Sequence, residues 1–587
     1  VRTIRVGNCS GFYGDRLSAM REMLEGGPLD YLTGDYLAEL TMLILGKDRM
    51  KDAELGYAKT FLRQLTDCLA LAKEREVRIV ANAGGLNPAG LAQRIRDVAA
   101  EQGVEVVVAH VEGDDLVARA GEYGWDGALT ANAYLGAFGI AEALRRGADI
   151  VVTGRVTDAS VVVGPVIAEF GWGRDDLDRL AGAVVAGHVI ECGAQATGGN
   201  FSGFADIDTS RPLGFPIAEV AEDGTSVITK HPDTGGAVTV DTVTAQLVYE
   251  IGGPVYLNPD VATRLDTIRL DQEGDDRVRI SGVRGQAPPP TTKVALNSLG
   301  GFRNQVEFVL TGLDIEQKAA WVRGQLEEAL ADVAIDEISW ELVRTDRSDP
   351  ATEPEAAAVL RCHVKSSDPK AAGRAFSGAA VELALASYPG FHVTAPPSAA
   401  SPFGIYRAAY LPQSEVPHVV VLADGTRIDI PPPEHTASAA PTSPASGANS
   451  SSGSPDSHAT APVAEGSAPL GETVRKALGR LAYARSGDKG GAANVGVWIP
   501  AEHPRRAEAF AWLAETLDAE RVRELLPEAA DLPVTVYPLP NLAAVNVVID
   551  GLLGEGVASS TRFDPQAKAV GEWLRARLVD IPRELLV

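Results

Sequence analysis

Cysteine is scarce in this sequence and shows no pairing pattern: Cys9, Cys68, Cys192 and Cys362 stand far apart, with no CxxC spacing. That excludes a disulfide scaffold and a cysteine-based zinc framework, and the expected state is four reduced thiols in a cytoplasmic protein. Long apolar runs are also missing. No stretch approaches the about 18 residues that a membrane helix needs, and no basic–apolar–small leader opens the chain, so no membrane partner is expected. Basic residues are in deficit, with 53 Lys and Arg against 79 Asp and Glu, a net charge of −26. Such a balance repels nucleic acid and anionic membranes as a whole, although a local pocket can still be positive and take an anionic small molecule. Aromatics are only 6% of residues while hydrophobic types make up 45%, so packing leans on Ala, Val and Leu.

At 587 residues the chain exceeds one hydrophobic core and implies two to four domains. Residues 433–469 are almost entirely Pro, Ser, Ala, Thr and Gly, too poor in apolar surface to offset ordering entropy, and are expected to be a disordered linker. His435 and His458 fall inside or beside it and are given no role. This leaves a core region, 1–432, and a C-terminal module, 470–587. In the first 200 residues a β-rich run, a polar Gly-rich loop and a helical pattern recur, as in "TIRVGNCSGFYGDRL", "VRIVANAGGLNPAGL" and "ADIVVTGRVTDAS". The order predicts an α/β fold: a parallel sheet with helices on both faces, whose post-strand loops gather on one edge. From 200 to 300 the runs look strand-like, among them "AVTVDTVTAQLVYEI" at 237–251. From about 301 to 432 an α+β sub-region is expected. The C-terminal module reads as strands, helix, strands, helix, a small ferredoxin-like α+β domain.

The chemistry concentrates in "GHVIECGAQATGGN", residues 187–200. Read as a helix, His188, Glu191, Cys192 and Gln195 share one face. Glu191 or His188 can serve as general acid or base, and Cys192 as a nucleophile one turn from His188. Gly198, Gly199 and Asn200 follow as a candidate oxyanion-binding turn. In "VVTGRVTDAS", Arg155 can grip a carboxylate or phosphate bidentately, with Asp158 orienting it or joining catalysis. "NAGGLNPAG" lacks a P-loop lysine, yet Asn82, Gly84, Gly85 and Asn87 can offer donors to an oxygen. Asp15 and Arg16 in "GNCSGFYGDR" and His231 in "KHPDTGG" complete the candidate binding set. The C-terminal module has one conspicuous loop, "ARSGDKGGAANVGV", where Arg485, Asp488, Lys489 and Asn494 exceed what a turn needs. No cofactor is predicted. A divalent metal would have His188 and Glu191 but neither HExxH spacing nor an evident third ligand.

Seven motifs occur in order: "GNCSGFYGDR", "LDYLTGDYLAELTM", "NAGGLNPAG", "VVTGRVTDAS", "GHVIECGAQATGGN", "GFPIAEV" and "KHPDTGG". Together they resemble the acyclic terpene utilisation protein family AtuA, and "ARSGDKGGAANVGV" resembles its ferredoxin-fold C-terminal domain. The match covers nearly the whole chain outside 431–469. It departs at Gly491, where the family pattern has a polar residue, usually Asn, and in the length of the linker. The resemblance implies a role in breaking down acyclic terpenes and other branched acids as CoA thioesters, beside acyl-CoA carboxylases and hydratases. It assigns no catalytic residue.

The leading expectation is therefore an enzyme acting on a branched acyl-CoA or related carboxylate by lyase, hydratase or hydrolase chemistry. The alternative is a non-catalytic acyl-CoA-binding or assembly subunit that works with an acyl-CoA carboxylase and docks it through the C-terminal module. A homo-oligomer is open in either case.

Overall fold

The computed structural model describes residues 2–438 and 471–586, so the expected linker lies outside the described residues from 439 on. The chain falls into two compact units. One comprises Val1–Leu296, Arg407–Val557 and Gln566–Val587, and the other comprises Asn297–Tyr406 with Ala558–Pro565. The C-terminal module thus belongs mostly to the first unit.

An eleven-stranded sheet organises that unit. Its strands are β1 (Thr3–Asn8), β2 (Tyr31–Gly34), β3 (Arg78–Ala81), β4 (Val108–Glu112), β5 (Ile150–Thr153), β6 (Pro216–Ala221), β7 (Ser226–Lys230), β8 (Arg269–Gly274), β9 (Arg277–Ser281), β10 (Val419–Val421) and β11 (Arg427–Asp429). The order is β8-β9-β7-β6-β1-β2-β3-β5-β4-β10-β11. The central strands β1, β2, β3, β5 and β4 are parallel, and antiparallel strands extend both sides. The parallel core follows from side chains that are apolar on both faces. In β3, Ile79 and Ala81 enter one core and Val80 the other; in β5, Ile150 and Val152 oppose Val151. Each such fully buried Val or Ile contributes roughly 1.5–3 kcal/mol. Helices Ala19–Gly26, Lys59–Glu74 and Pro88–Gln102 cover one face, and Phe138–Arg145, Ser160–Phe170 and Leu177–Ile190 the other.

Two local expectations are corrected. The run 237–251 is not a strand: Val240–Leu247 is a helix. Thr239 and Thr242 form a reciprocal capping box, each side chain accepting from the other's backbone N–H at 3.1 and 2.9 Å, and this start signal overrides the β-branched composition. Likewise the 187–200 stretch is not one helix. Leu177–Ile190 ends there, Glu191 is its C-cap, Gly193 turns left-handed at φ 61°, and a 3-10 turn covers Gly193–Thr197.

The C-terminal module is a four-stranded antiparallel sheet of β12 (Tyr483–Lys489), β13 (Ala492–Trp498), β14 (Val534–Leu539) and β15 (Ala544–Ile549), in the order β12-β13-β15-β14. It is built as two hairpins with helices following each, rather than around a parallel βαβ unit. Ala493, Val495 and Val497 face the module's own helices. Asn494, Gly496 and Trp498 face the other way, onto residues 241–250 of the core region.

The second unit has its own sheet, in which Phe302–Thr311 pairs with Ala357–Ser366 and that strand with Glu337–Val343. Helices Ile315–Ala329 and Phe376–Glu382 pack on it through Phe308, Val322, Leu326 and Phe376.

Candidate active site

Because the central strands run parallel, the residues at and beyond their C-terminal ends collect on one edge: Asn8 at the end of β1, Asp35 after β2, Asn82 after β3, Asp114 after β4 and Arg155 after β5. All five side chains are buried. Their polar groups are tied together. Asn82 Nδ2 donates to Asp35 Oδ1 at 2.6 Å while its Oδ1 accepts from the Tyr36 N–H at 2.8 Å. Asp114 Oδ2 accepts from the Arg155 N–H at 2.7 Å and from Asn132 Nδ2 at 2.8 Å. The Arg155 guanidinium donates to the Leu37 carbonyl at 2.9 Å and to the Tyr134 hydroxyl at 3.1 Å, lies 2.9 Å from Asp158 Oδ1 and stacks 4.5 Å above the Tyr134 ring. Lys293 reaches the same ring at 5.1 Å and pairs with Glu39 at 3.5 Å.

Against this edge sits the end of the Leu177–Ile190 helix. Asn8 Nδ2 donates to the Glu191 carbonyl at 3.2 Å, and a Cβ on Gly11 would fall 2.5 Å from the Cys192 carbonyl carbon, so the first loop and the 191–192 turn touch. His188 Nδ1 lies 3.4 Å from Glu191 Oε1, and the His188 ring is 4.9 Å from the Tyr256 ring. Four of these buried groups keep atoms with no hydrogen-bond partner in the protein: both His188 nitrogens, Glu191 Oε2, Gln195 Oε1 and both amide atoms of Gln246. Buried polar groups are nearly always satisfied, so this concentration of exceptions singles out the cluster from the rest of the core.

Burial and crowding of like charges set the protonation states. Burial, with Asp158, Asp35 and Glu250 nearby, pushes the Glu191 carboxyl far above the carboxylate range. Asp35 is pushed up to about 8 by burial and by Asp158, with Arg155 and Asn82 pulling the other way. Asp158 is raised by burial against the pull of Arg155. Burial lowers His188 to about 4, helped by the Lys489 charge. Both shifts disfavour the charged form, on the Glu191 carboxyl and on the His188 imidazole alike. Cys192 is driven the same way: burial and the neighbouring Glu250 and Glu191 keep it a thiol, the opposite of what a cysteine nucleophile requires.

The C-terminal module supplies a wall. Arg485 Nη1 donates to the Gly199 and Asn200 carbonyls at 3.0 and 2.9 Å. Asn494 accepts from the Glu250 N–H at 2.7 Å and donates to the Val248 carbonyl at 3.2 Å, while Trp498 Nε1 donates to Asp241 at 3.0 Å. The β12–β13 hairpin turns at Gly490–Gly491 and places Lys489 Nζ 2.8 Å from the Glu250 carbonyl. Asp488 lies 3.8 Å from Lys568 and is pushed up to about 7 by burial, Glu250 and Glu39. At Gly491 a Cβ would meet the Gly554 carbonyl oxygen at 2.3 Å, so the departure from the expected polar residue reflects close packing of the hairpin on the 551–554 turn.

Other expected residues have different work. Asn87 caps the Pro88–Gln102 helix, accepting from the Gly90 N–H at 2.9 Å and donating to the Glu54 carbonyl at 3.0 Å. The Gly85 N–H is committed to the Asn82 carbonyl, and Gly84 is there because a Cβ would lie 2.5 Å from the Thr153 carbonyl oxygen. The Gly198 and Gly199 N–H groups close the 3-10 turn onto Gln195 and Ala194, so the expected backbone oxyanion donors of "TGGN" are already engaged. Asp15 folds back onto the Gly11 and Arg16 N–H groups, and Arg16 pairs with Glu22 and stacks on Phe215. His231 bonds the Met23 carbonyl at 3.0 Å and packs on Gly26 and Gly27, away from the cluster. Missed altogether were Asp35, Glu39, Tyr134, Gln246, Glu250, Tyr256 and Lys293. Asp35 was findable, since it follows β2 as Asn82 follows β3; the others are joined to the site only by the tertiary fold. Among the described residues no group of three His, Cys, Asp or Glu side chains is arranged to hold a metal ion, and no helix is long and apolar enough to cross a membrane.

The fold is that of a mixed α/β protein whose parallel-sheet edge carries buried carboxyls and an arginine, with an appended α+β module. The chain is more narrowly placed by sequence. The model of the acyclic terpene utilisation family protein AtuA matches residues 4–422, and that of the AtuA ferredoxin-like domain matches 476–580. The chain belongs to the AtuA family. No match was found among curated proteins or among solved structures.

Proposed function

We propose that this member of the acyclic terpene utilisation family is an enzyme of branched-chain acyl-CoA catabolism that acts on a branched acyl-CoA or related carboxylate by general acid–base chemistry. The observation that carries this is the buried pair of Glu191 and His188, 3.4 Å apart, with Glu191 Oε2 uncommitted and its carboxyl raised by burial and neighbouring carboxylates. A carboxylic acid kept neutral at pH 7 can donate a proton or a hydrogen bond to a carbonyl oxygen as negative charge develops there. Arg155, fixed by Leu37, Tyr134 and Asp158, is the cation that holds a carboxylate or polarises the thioester carbonyl. With the Gly85, Gly198 and Gly199 N–H groups engaged locally, charge on a developing enolate or oxyanion falls mainly to side chains, Glu191 and Arg155, to stabilise. Hydration, retro-aldol cleavage and thioester hydrolysis all use such a set. The competing reading is an assembly subunit docking a carboxylase through the C-terminal module; Arg485 and Asn494 of that module make their contacts within the chain and so are not its docking groups.

The test begins with thermal shift of the full chain against free CoA and branched acyl-CoA thioesters, followed by product analysis on any thioester that raises the melting temperature. Glu191→Gln, which preserves shape and neutrality, is expected to keep ligand binding and stability while turnover falls by about 10²–10⁴. Full turnover in that variant would remove Glu191 from the chemistry.

A further inference from the structure

Lys489 is an exposed side chain at the edge of the cluster, on the β12–β13 hairpin. Lys489 makes no ion pair among the described residues. Its recorded hydrogen bond goes to the Glu250 carbonyl at 2.8 Å, and an ammonium has three N–H donors. Its position is fixed rather than incidental. The hairpin that carries it is pinned two strands deep by Arg485, Asn494 and Trp498, and Gly496 is required because a Cβ there would fall 2.2 Å from Val248 Cγ2. The ammonium stands 6.0 Å from the Tyr256 ring, whose other neighbour is the His188 ring. Arg155 and Lys293 flank the Tyr134 ring in the same cluster. The buried atoms without protein partners, on His188, Glu191 and Gln246, belong to this set of residues.

We propose that Lys489 binds an anionic group of the ligand, carboxylate or phosphate, so that the C-terminal module completes the site and the ligand carries a second polar anchor besides the one held at Arg155. This rests on the cluster being the seat of the chemistry proposed above, but it is read by binding and not by turnover. Holding the anion from the module explains why its hairpin is packed so tightly on residues 241–250: a mobile hairpin would lose the geometry.

The experiment is calorimetric titration of the full chain, at constant ionic strength, with succinate, with inorganic pyrophosphate and with free CoA. Wild type, Lys489→Met and Lys489→Arg are compared, and circular dichroism verifies their fold. The wild type is expected to bind at least one probe, Lys489→Met to lose about tenfold or more in affinity, and Lys489→Arg to recover most of it. A response to succinate alone assigns a carboxylate; a response to pyrophosphate or CoA with succinate silent assigns a phosphate. Equal affinity in wild type and folded Lys489→Met, or no binding of any probe by the wild type, overturns the inference. If Glu191→Gln retained turnover while the Lys489 effect stood, the acid–base assignment would fall and this inference would survive.

Discussion

The floor and the rim of the cluster use the same residue types to opposite ends. On the floor, Asp35, Arg155, His188 and Glu191 are each 5% exposed or less; on the rim, Asp158, Glu39, Lys293 and Glu250 have side chains 24–34% exposed. Glu39, half-open beside Lys293 and Arg155, is lowered despite its burial cost, whereas Glu191, with carboxylates as its main neighbours, is raised. Burial cost weighed against nearby charges of either sign sets each direction, and on the rim Asp158 and Glu250 are still raised, burial outweighing the pull of Arg155 and Lys568.

Removing the floor's one strong cation should have the largest effect. Arg155→Met removes the buried guanidinium from Asp158, Asp35, Leu37 and Tyr134 at once, and a loss of about 3–5 kcal/mol in unfolding free energy is expected in urea titrations. The equivalent change on the rim, Lys293→Met, should cost at most about 1 kcal/mol, as exposed pairs do. Comparable losses would show that depth does not separate the two regions.

The next effect is pH-dependent. Asp35 titrates at about 8 in the fold against an ordinary value of 3.8, so the folded state binds its proton more tightly. Its contribution to stability is present at low pH and is lost as pH rises through about 8. The melting temperature of the wild type should therefore fall between pH 6 and pH 9, and Asp35→Asn should flatten that slope, gaining roughly 2–4 °C at the alkaline end. A slope unchanged by the substitution would mean that Asp35 is already ionised. The smallest effect is expected outside the cluster. Asn87→Ala removes a helix cap, lowering stability by about 1 kcal/mol in a melt while leaving ligand affinity untouched.

Much of the fold was legible in the sequence because parallel β-strands announce themselves as short apolar runs such as "VRIVA" and "ADIVVT" followed by polar glycine loops. The same rule located Asn82, Arg155 and Asp158. It did not reveal that the glycine-loop N–H groups would be engaged locally, because a loop's hydrogen bonds depend on its closure rather than on its composition. The helix at 240–247 was hidden by β-branched residues whose capping pair, Thr239 and Thr242, reads as ordinary strand composition. Glu250, Tyr256 and Lys293 had no local signal, since only the packing of the module and the distant strand brings them to Glu191.

The central claim is that Glu191 is a neutral acid in the folded protein at neutral pH, and difference infrared spectroscopy of wild type against Glu191→Gln tests it most directly. A protonated-carboxyl carbonyl band present at pH 7 in the wild type, and missing from the variant, is the predicted result. A wild-type spectrum in which the substitution removes only ionised-carboxylate absorption would contradict it.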